Sequence, residues 1–521
     1  MGGTIMAIMG KNIWDNLTTG MYSDSKIIFR EYIQNACDAI DDAVSLGLLN
    51  ENEGEIEIIL DDKQRKVSII DNGIGVKLSE FRSKVGNVAD SDKVIGQDKG
   101  FRGIGRLCGL AYCDEIIFSS KSKGENSISI MKMDADKLRQ LLYEDKEKYS
   151  FEEVYEQIVS FETNKTAGAE EHFFKVDLIG IRKSNRDLLN KKEVQEYLSF
   201  VAPVPYVSSF IFRSKIYEHA KKINAKIDEY KILVNGEQIY KSYKTYLYKK
   251  NKKHDEIFDI MFEDFYDEKN NLIAWLWYGL SSFNGALTEE NIAKRLRLRK
   301  ENIQIGNAET LSSLFNEGRG NSYFIGEVFA MDRDLIPNSQ RDNFNENDMR
   351  VIFENKLKDF FKNTLYKLYH SASDVRGYYE KIESFSQAKE ELAEKEHKGG
   401  FSSPLDKEKV EKGIESKQRA AVKAKKSLEK FEVSNPKETA AAMVANRIKV
   451  LYDNGKSESL LTDDEQLEIE SKRKGGYITQ TLPLNRKERK LVTQIYQIIT
   501  DFLDDEKLAK NLIEKIQEGL K

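Results

Sequence analysis

Cysteine is scarce in this chain of 521 residues. The three present include no C-x-x-C pair, which excludes a disulfide framework and argues against a structural zinc site. Cys37 and Cys108 sit inside apolar patterns and read as small buried residues. Long apolar runs are missing, so no segment is expected to cross a bilayer. Met1-Gly2-Gly3-Thr4-Ile5-Met6 lacks the basic stretch and apolar core of a secretion signal. Met6 also stands where a myristoylation signal carries Ser or Thr. The cytoplasm is therefore the expected compartment. An excess of one charge is missing too: 82 basic and 87 acidic residues leave a net charge of −5, with no global attraction for nucleic acid. What is abundant is length and mixed charge. With 40% hydrophobic and 32% charged residues, the chain is expected to form about two to four domains.

One stretch organises the rest: Phe29-Arg30-Glu31-Tyr32-Ile33-Gln34-Asn35-Ala36-Cys37-Asp38-Ala39-Ile40. It reads as a helix, with Ser23, Asp24 and Ser25 as capping candidates and an end near Gly47. Glu31, Asn35, Asp38 and Asp42 share one face, while Ile33, Cys37, Ile40 and Val44 form another, the core side. A solvated polar stripe would look the same. A carboxylate and an amide one turn apart also suit a metal-bound phosphate, the first as base for water and the second as oxygen ligand.

Two further motifs follow. Strands at 55–60 and 66–70 flank a turn and run into Asp71-Asn72-Gly73-Ile74-Gly75. Then comes Lys99-Gly100-Phe101-Arg102-Gly103-Ile104-Gly105-Arg106 at a helix start. The three motifs, in this order and spacing, resemble the GHKL ATPase superfamily. Its members include gyrase-type topoisomerases, heat-shock protein 90 chaperones, histidine kinases, MutL and the MORC proteins. The resemblance implies a Bergerat-type fold over residues 1–190, an open mixed sheet covered on one face by helices, and ATP with Mg2+ as ligands.

By that resemblance Asp71 accepts the adenine amino group, Asn35 ligates magnesium, Glu31 polarises the attacking water, and Asp38 lines the nucleotide site. Gly73 and Gly75 let backbone pass close to a ligand. Gly100, Gly103, Ile104 and Gly105 lead into a helix N-terminus that receives phosphate oxygens, with Arg102 and Arg106 adding charge nearby or lying at the surface. The polar stretch 86–99 reads as a lid, in which Lys93 reaches a phosphate or stays solvated. Glu31 separates the chain from histidine kinases. One departure stands out. His172 occupies the place of the family's Thr near adenine; Thr163 or Thr166 could substitute, or His172 is a surface residue at a strand start.

Farther along, 104–111 reads as a helix, 115–119, 127–133, 155–161 and 172–178 as strands, and 135–147 as a helical insert. Val201-Ala202-Pro203-Val204-Pro205-Tyr206 marks a boundary, because two prolines break the helix before it. Residues 201–350 read as a second α/β domain like the family's transducer or middle domain. It opens with a hairpin at Asn235-Gly236 and carries strands at 272–278, 296–304 and 323–330. Basic clusters at Lys249, Lys250, Lys252 and Lys253, and again at Lys294, Arg295, Arg297, Arg299 and Lys300, suit either nucleic-acid phosphates or solvated faces. Residues 351–521 read as helical and coiled-coil-like, a dimerisation module or a monomeric tail.

Asp334-Leu335-Ile336-Pro337-Asn338-Ser339-Gln340-Arg341 resembles the catalytic loop of heat-shock protein 90 middle domains, with Gln340 in place of Ser. It implies that Arg341 reaches the γ-phosphate; the alternative is a surface pair with Asp342 or Glu346. The expected protein is a homodimeric ATPase with a protein client or operon partner. The alternative is a MORC- or MutL-like nucleic-acid clamp, in genome maintenance or phage defence.

Overall fold

The computed structural model describes residues 10–18, 24–88, 105–143, 149–166, 168–398, 401, 403–458, 488, 491–492, 495–496, 498–499, 503 and 506–519. Short α1 (Asn12–Leu17) precedes the motif helix α2 (Ile27–Ser45). Asp24 and Ser25 do not cap it, and Ser23 lies outside the described residues: Lys26 is the N-cap, and its N–H is accepted by Asp24 Oδ1 at 3.0 Å. Gly47, at φ +69°, ends it as anticipated. Ile33, Cys37 and Ile40 are buried, confirming the core face.

Alternation of inward apolar residues makes β1 (Glu55–Asp61) and β2 (Lys66–Asp71) an antiparallel pair. Then come α3 (Leu78–Phe81), a tight helical turn at Gly105–Ala111, β3 (Glu115–Lys121), β4 (Ser127–Asp134) and α4 (Ala135–Tyr143). The strand expected at 155–161 is instead helix α5 (Phe151–Ile158) running into β5 (Val159–Lys165). Ser150 and Glu153 form a reciprocal capping box at its start, which satisfies two helix-terminal N–H groups. Phe151, just inside the cap, stacks on the fully buried Trp14 at 4.6 Å. Ser150→Ala should therefore cost about 1 kcal/mol of stability, read from denaturant melts. No change would mean the cap is redundant.

β6 (Phe173–Ile179) and α6 (Lys191–Val201) follow. After α7 (Arg213–Lys222), strands β7 (Lys231–Val234) and β8 (Glu237–Gln238) bracket the Asn235-Gly236 turn. That hairpin lies in the first sheet and not in the second domain. β7 pairs parallel with β1, and the sheet order is β5-β4-β3-β6-β2-β1-β7-β8. β1 thus has β2 on one hydrogen-bonding edge and β7 on the other. α7, by contrast, packs Ile216 into a cluster with Trp275, Trp277 and Phe329 of the second sheet. The chain thus crosses to the second unit, returns, and crosses again.

The second unit holds the hairpin β9 (Tyr246–Lys249) and β10 (Lys252–Glu256). Its mixed sheet contains β11 (Asp259–Tyr266), β12 (Leu272–Leu280), β13 (Arg295–Lys300), β14 (Ile303–Gln304) and β15 (Ile325–Ala330), in the order β11-β12-β15-β13-β14. The basic cluster of β13 is not a solvated face. Arg297, Arg299 and Lys300 are buried, as is Lys294 just before the strand. Arg299 and Lys241 both pair with the fully buried Glu327. Burial opposes charge on Glu327, but these two cations outweigh it and hold its carboxyl down at about 2.

Helices α8 (Asp348–Phe360), α9 (Tyr366–Lys398), α10 (Pro404–Ser434) and α11 (Ala440–Glu458) complete this unit. Lys407 at the start of α10 pairs with Glu396 at the end of α9, so the two run antiparallel. Ser403 caps α10 and Pro404 occupies its first turn. Farther on, α12 (Glu506–Gly519) buries Ile513 against Val492 and Tyr496. Leu491, Ile495 and Ile498 are exposed. No helix among the described residues is long and apolar enough to cross a membrane.

Candidate functional site

The site forms where α2, the loop after β2 and the turn at Gly105 meet. Helical spacing places Glu31 and Asp38, each 6% exposed, and the half-buried Asn35 along α2. β2 delivers Asp71 at its end, opposite Phe174 of β6, at 5% exposure. Asp71 Oδ1 accepts the Gly73 N–H at 2.9 Å. A Cβ on Gly73 would lie 2.6 Å from the Ala39 carbonyl carbon, so only glycine lets this loop cross α2. Gly75 has φ +65°, and a Cβ there would run into the Lys121 carbonyl oxygen. On the other side, a Cβ on Gly105 would be 2.4 Å from Glu31 Oε2. Glycine thus brings that backbone directly against the carboxylate.

His172 is not an idle surface residue. Its Nδ1 donates to the Gly73 carbonyl at 2.7 Å, so it braces the loop beside Asp71. Thr163 cannot replace it, because β5 lies four strands from β2, roughly 19 Å at the usual strand spacing. Thr166 follows the same edge strand. Arg106 turns to the carbonyls of Lys84 and Asn87. Lys93, Gly100, Arg102, Gly103 and Ile104 lie outside the described residues. The three cysteines are buried, and burial pushes the Cys108 and Cys113 thiols up, which makes them unreactive.

Arg341 comes to this site from the second unit. It is 7% exposed, and its Nε lies 3.4 Å from Glu31 Oε1. A solvated surface pair is therefore not its environment. Its φ of +53° is a left-handed conformation that costs a non-glycine residue about 1–2 kcal/mol, and such strain clusters at functional sites. Asn338 shapes the loop: its carbonyl accepts the Arg341 N–H, and its side chain bonds Asp342. Arg30 holds the loop from the first unit, donating through Nη2 to the Gln340 carbonyl at 2.9 Å and through Nη1 to that of Arg341 at 3.3 Å. Its Nε lies 3.7 Å from Glu31 Oε1. The sequence reading passed over Arg30, although it stands next to Glu31. It also passed over Gln34, which is 2% exposed and whose Oε1 lacks a hydrogen-bond partner among the described residues.

An acidic helix face, two glycine loops pressed against it and a buried carboxylate at the end of β2 form the core of an ATPase domain of the GHKL class. Residues 22–164 match the family of histidine kinase-, DNA gyrase B-, and HSP90-like ATPases. The chain is also similar to the chaperone protein HtpG of Aliarcobacter butzleri, at 33% identity over 21% of this chain and 20% of the relative. HtpG of Hydrogenovibrio crunogenus is 31% identical over 20% of each chain. HtpG of Helicobacter hepaticus is 30% identical over 21% of each. The match spans about a fifth of the length of these curated relatives.

Proposed function

We propose that the chain is a magnesium-dependent ATPase whose ATP-bound form closes a homodimer, a chaperone-like machine acting on a protein client or partner. The observation that carries this reading is the Arg341–Glu31 contact, a cation from the loop after β15 held at the proposed base on α2. The partial likeness to HtpG supports the chaperone side. Glu31 would orient and deprotonate the attacking water, and Arg341 would hold charge on the γ-phosphate. Gly73, Gly75 and Gly105 would keep backbone close to the nucleotide.

The donor set fits magnesium held with its substrate. No group of three or more His, Cys, Asp or Glu that could cage a metal occurs among the described residues. The Asn35 amide oxygen is the one ligand this reading assigns, leaving the remaining positions to phosphate and water, the common arrangement for this ion. Magnesium would supply neutralisation of the phosphate oxygens. The test is light scattering of the Glu31→Ala variant with and without ATP. An ATP-dependent shift from monomer to dimer is expected, and an unchanged mass overturns the closing-dimer reading.

Asp71→Asn is expected to weaken ATP binding by about 2 kcal/mol or more. An amide at this position keeps its oxygen on the Gly73 N–H. Its NH2 then faces the adenine amino group, donor against donor. Titration calorimetry showing wild-type affinity removes Asp71 from the adenine site.

One observation favours a second reading, a nucleic-acid clamp: Lys249, Lys250, Lys252 and Lys253 are exposed on the β9–β10 hairpin. Gel shifts with duplex DNA across a salt series separate the two. A steep salt slope with ATP-dependent retention on closed circles supports the clamp.

A further inference from the structure

We infer that Gly306 and Gln304 are positioning residues that hold Arg341 at Glu31; this rests on the catalytic reading of Arg341 given above. Gly306 N–H donates to the Arg341 carbonyl at 2.8 Å. That carbonyl also receives Arg30 from the first unit, so it is pinned from both sides. The pin matters because Arg341 is in the left-handed region, where a side chain stays only if its surroundings hold it. With the Gly306 bond lost, the backbone would relax toward the ordinary helical or extended region and redirect the guanidinium. There is room for this. A cavity of about 810 Å³ opens beside the loop, lined in part by Arg30, Arg297, Gln304, Gly306, Gln340 and Asp342.

Gly306 is itself fixed. Its φ is +64°, and a Cβ there would lie 2.6 Å from the Asp342 carbonyl oxygen. Any side chain would thus press on the loop that Gly306 supports. Its own carbonyl accepts Gln304 Nε2 at 3.1 Å. Gln304 is 3% exposed, and its Oε1 accepts Arg297 Nη1 at 3.0 Å. Because a guanidinium only donates, that contact fixes which way the Gln304 amide faces and leaves its NH2 for Gly306. Arg297 is anchored in turn by the Ile292 carbonyl and by stacking over Phe200 at the end of α6. Hydrogen bonds therefore run from Arg297 through Gln304 and Gly306 to Arg341, and among the described residues none of the first three hydrogen-bonds or ion-pairs with Glu31.

The test uses the full chain. Gly306→Ala adds the Cβ. Gln304→Glu keeps the acceptor for Arg297 but removes the donor to Gly306, setting a carboxylate against its carbonyl. Both are expected to lower kcat by about 10- to 100-fold, the scale for a catalytic group displaced by an ångström. ATP affinity should stay within about twofold, because the binding contacts lie elsewhere. In an Arg341→Ala background the same substitutions should change kcat by less than about twofold, since residues acting through one group are not additive. Gln304→Glu decides the matter if Gly306→Ala does not fold. A slow Arg341→Ala beside fully active Gln304→Glu overturns the positioning role alone. So does a loss of equal size in both backgrounds, which marks a purely structural effect. Full turnover in Arg341→Ala itself overturns the reading beneath it.

Discussion

Glu31→Ala is expected to bind ATP and to lose hydrolysis by roughly 10²–10⁴-fold, the range for removing a general base. The carboxylate is 6% exposed and lies between two guanidinium groups, Arg30 Nε at 3.7 Å and Arg341 Nε at 3.4 Å. Burial of this kind is unusual for glutamate unless the charge is paired, and here it is paired twice. Removing it also leaves two cations facing each other, which would push the Arg341 loop outward. Glu31→Gln is the control for that effect, since it keeps the shape and removes only the basicity. Single-turnover assays beside titration calorimetry give both quantities. If either variant turns over at the wild-type rate, Glu31 serves the domain contact and not the chemistry.

Arg341→Ala should lower kcat by roughly 10²-fold or more and change ATP affinity little. The arginine would hold charge that grows in the transition state more than charge present in the bound substrate, so its loss falls on the rate. Its carbonyl and side chain have separate jobs in this fold. The carbonyl receives Arg30 and Gly306, while the side chain reaches Glu31. Truncation to alanine removes only the second, leaving the backbone anchors in place. A Kd that rises in step with a falling kcat/KM would instead assign Arg341 to ground-state binding.

The three ATPase motifs were legible because each is local. A helix period, a strand end and a glycine run are all contained within a dozen residues. The Ser150–Glu153 capping box was legible on the same terms, and reading a strand at 155–161 missed it. Other features had no local signature. Arg295-Leu296-Arg297-Leu298-Arg299 looks like a half-exposed strand, but the partners that permit its burial are Glu327, Gln304 and distant carbonyls. Likewise β7 reads as the start of a new domain until β1, 176 residues earlier, is seen beside it. Arg341 could be proposed only through resemblance, since 310 positions separate it from Glu31. The loop's anchors, Gly306 and Arg30, show their purpose only after that contact exists.

The three passages of chain between the two sheets do not run separately. Tyr230 N–H bonds the Pro203 carbonyl at 2.9 Å, Lys241 N–H bonds that of Pro205 at 2.8 Å, and Val207 N–H bonds that of Lys241 at 3.2 Å. A lone covalent tether would act as a ball joint, with every orientation of the second unit open to it. Segments laced edge to edge behave as a leaf spring, compliant to bending across the ribbon and stiff to twist or stretch. These bonds make the connection stiffer than a lone strand of chain, so the orientation of the loop that carries Arg341 is tied to the first sheet through three segments at once.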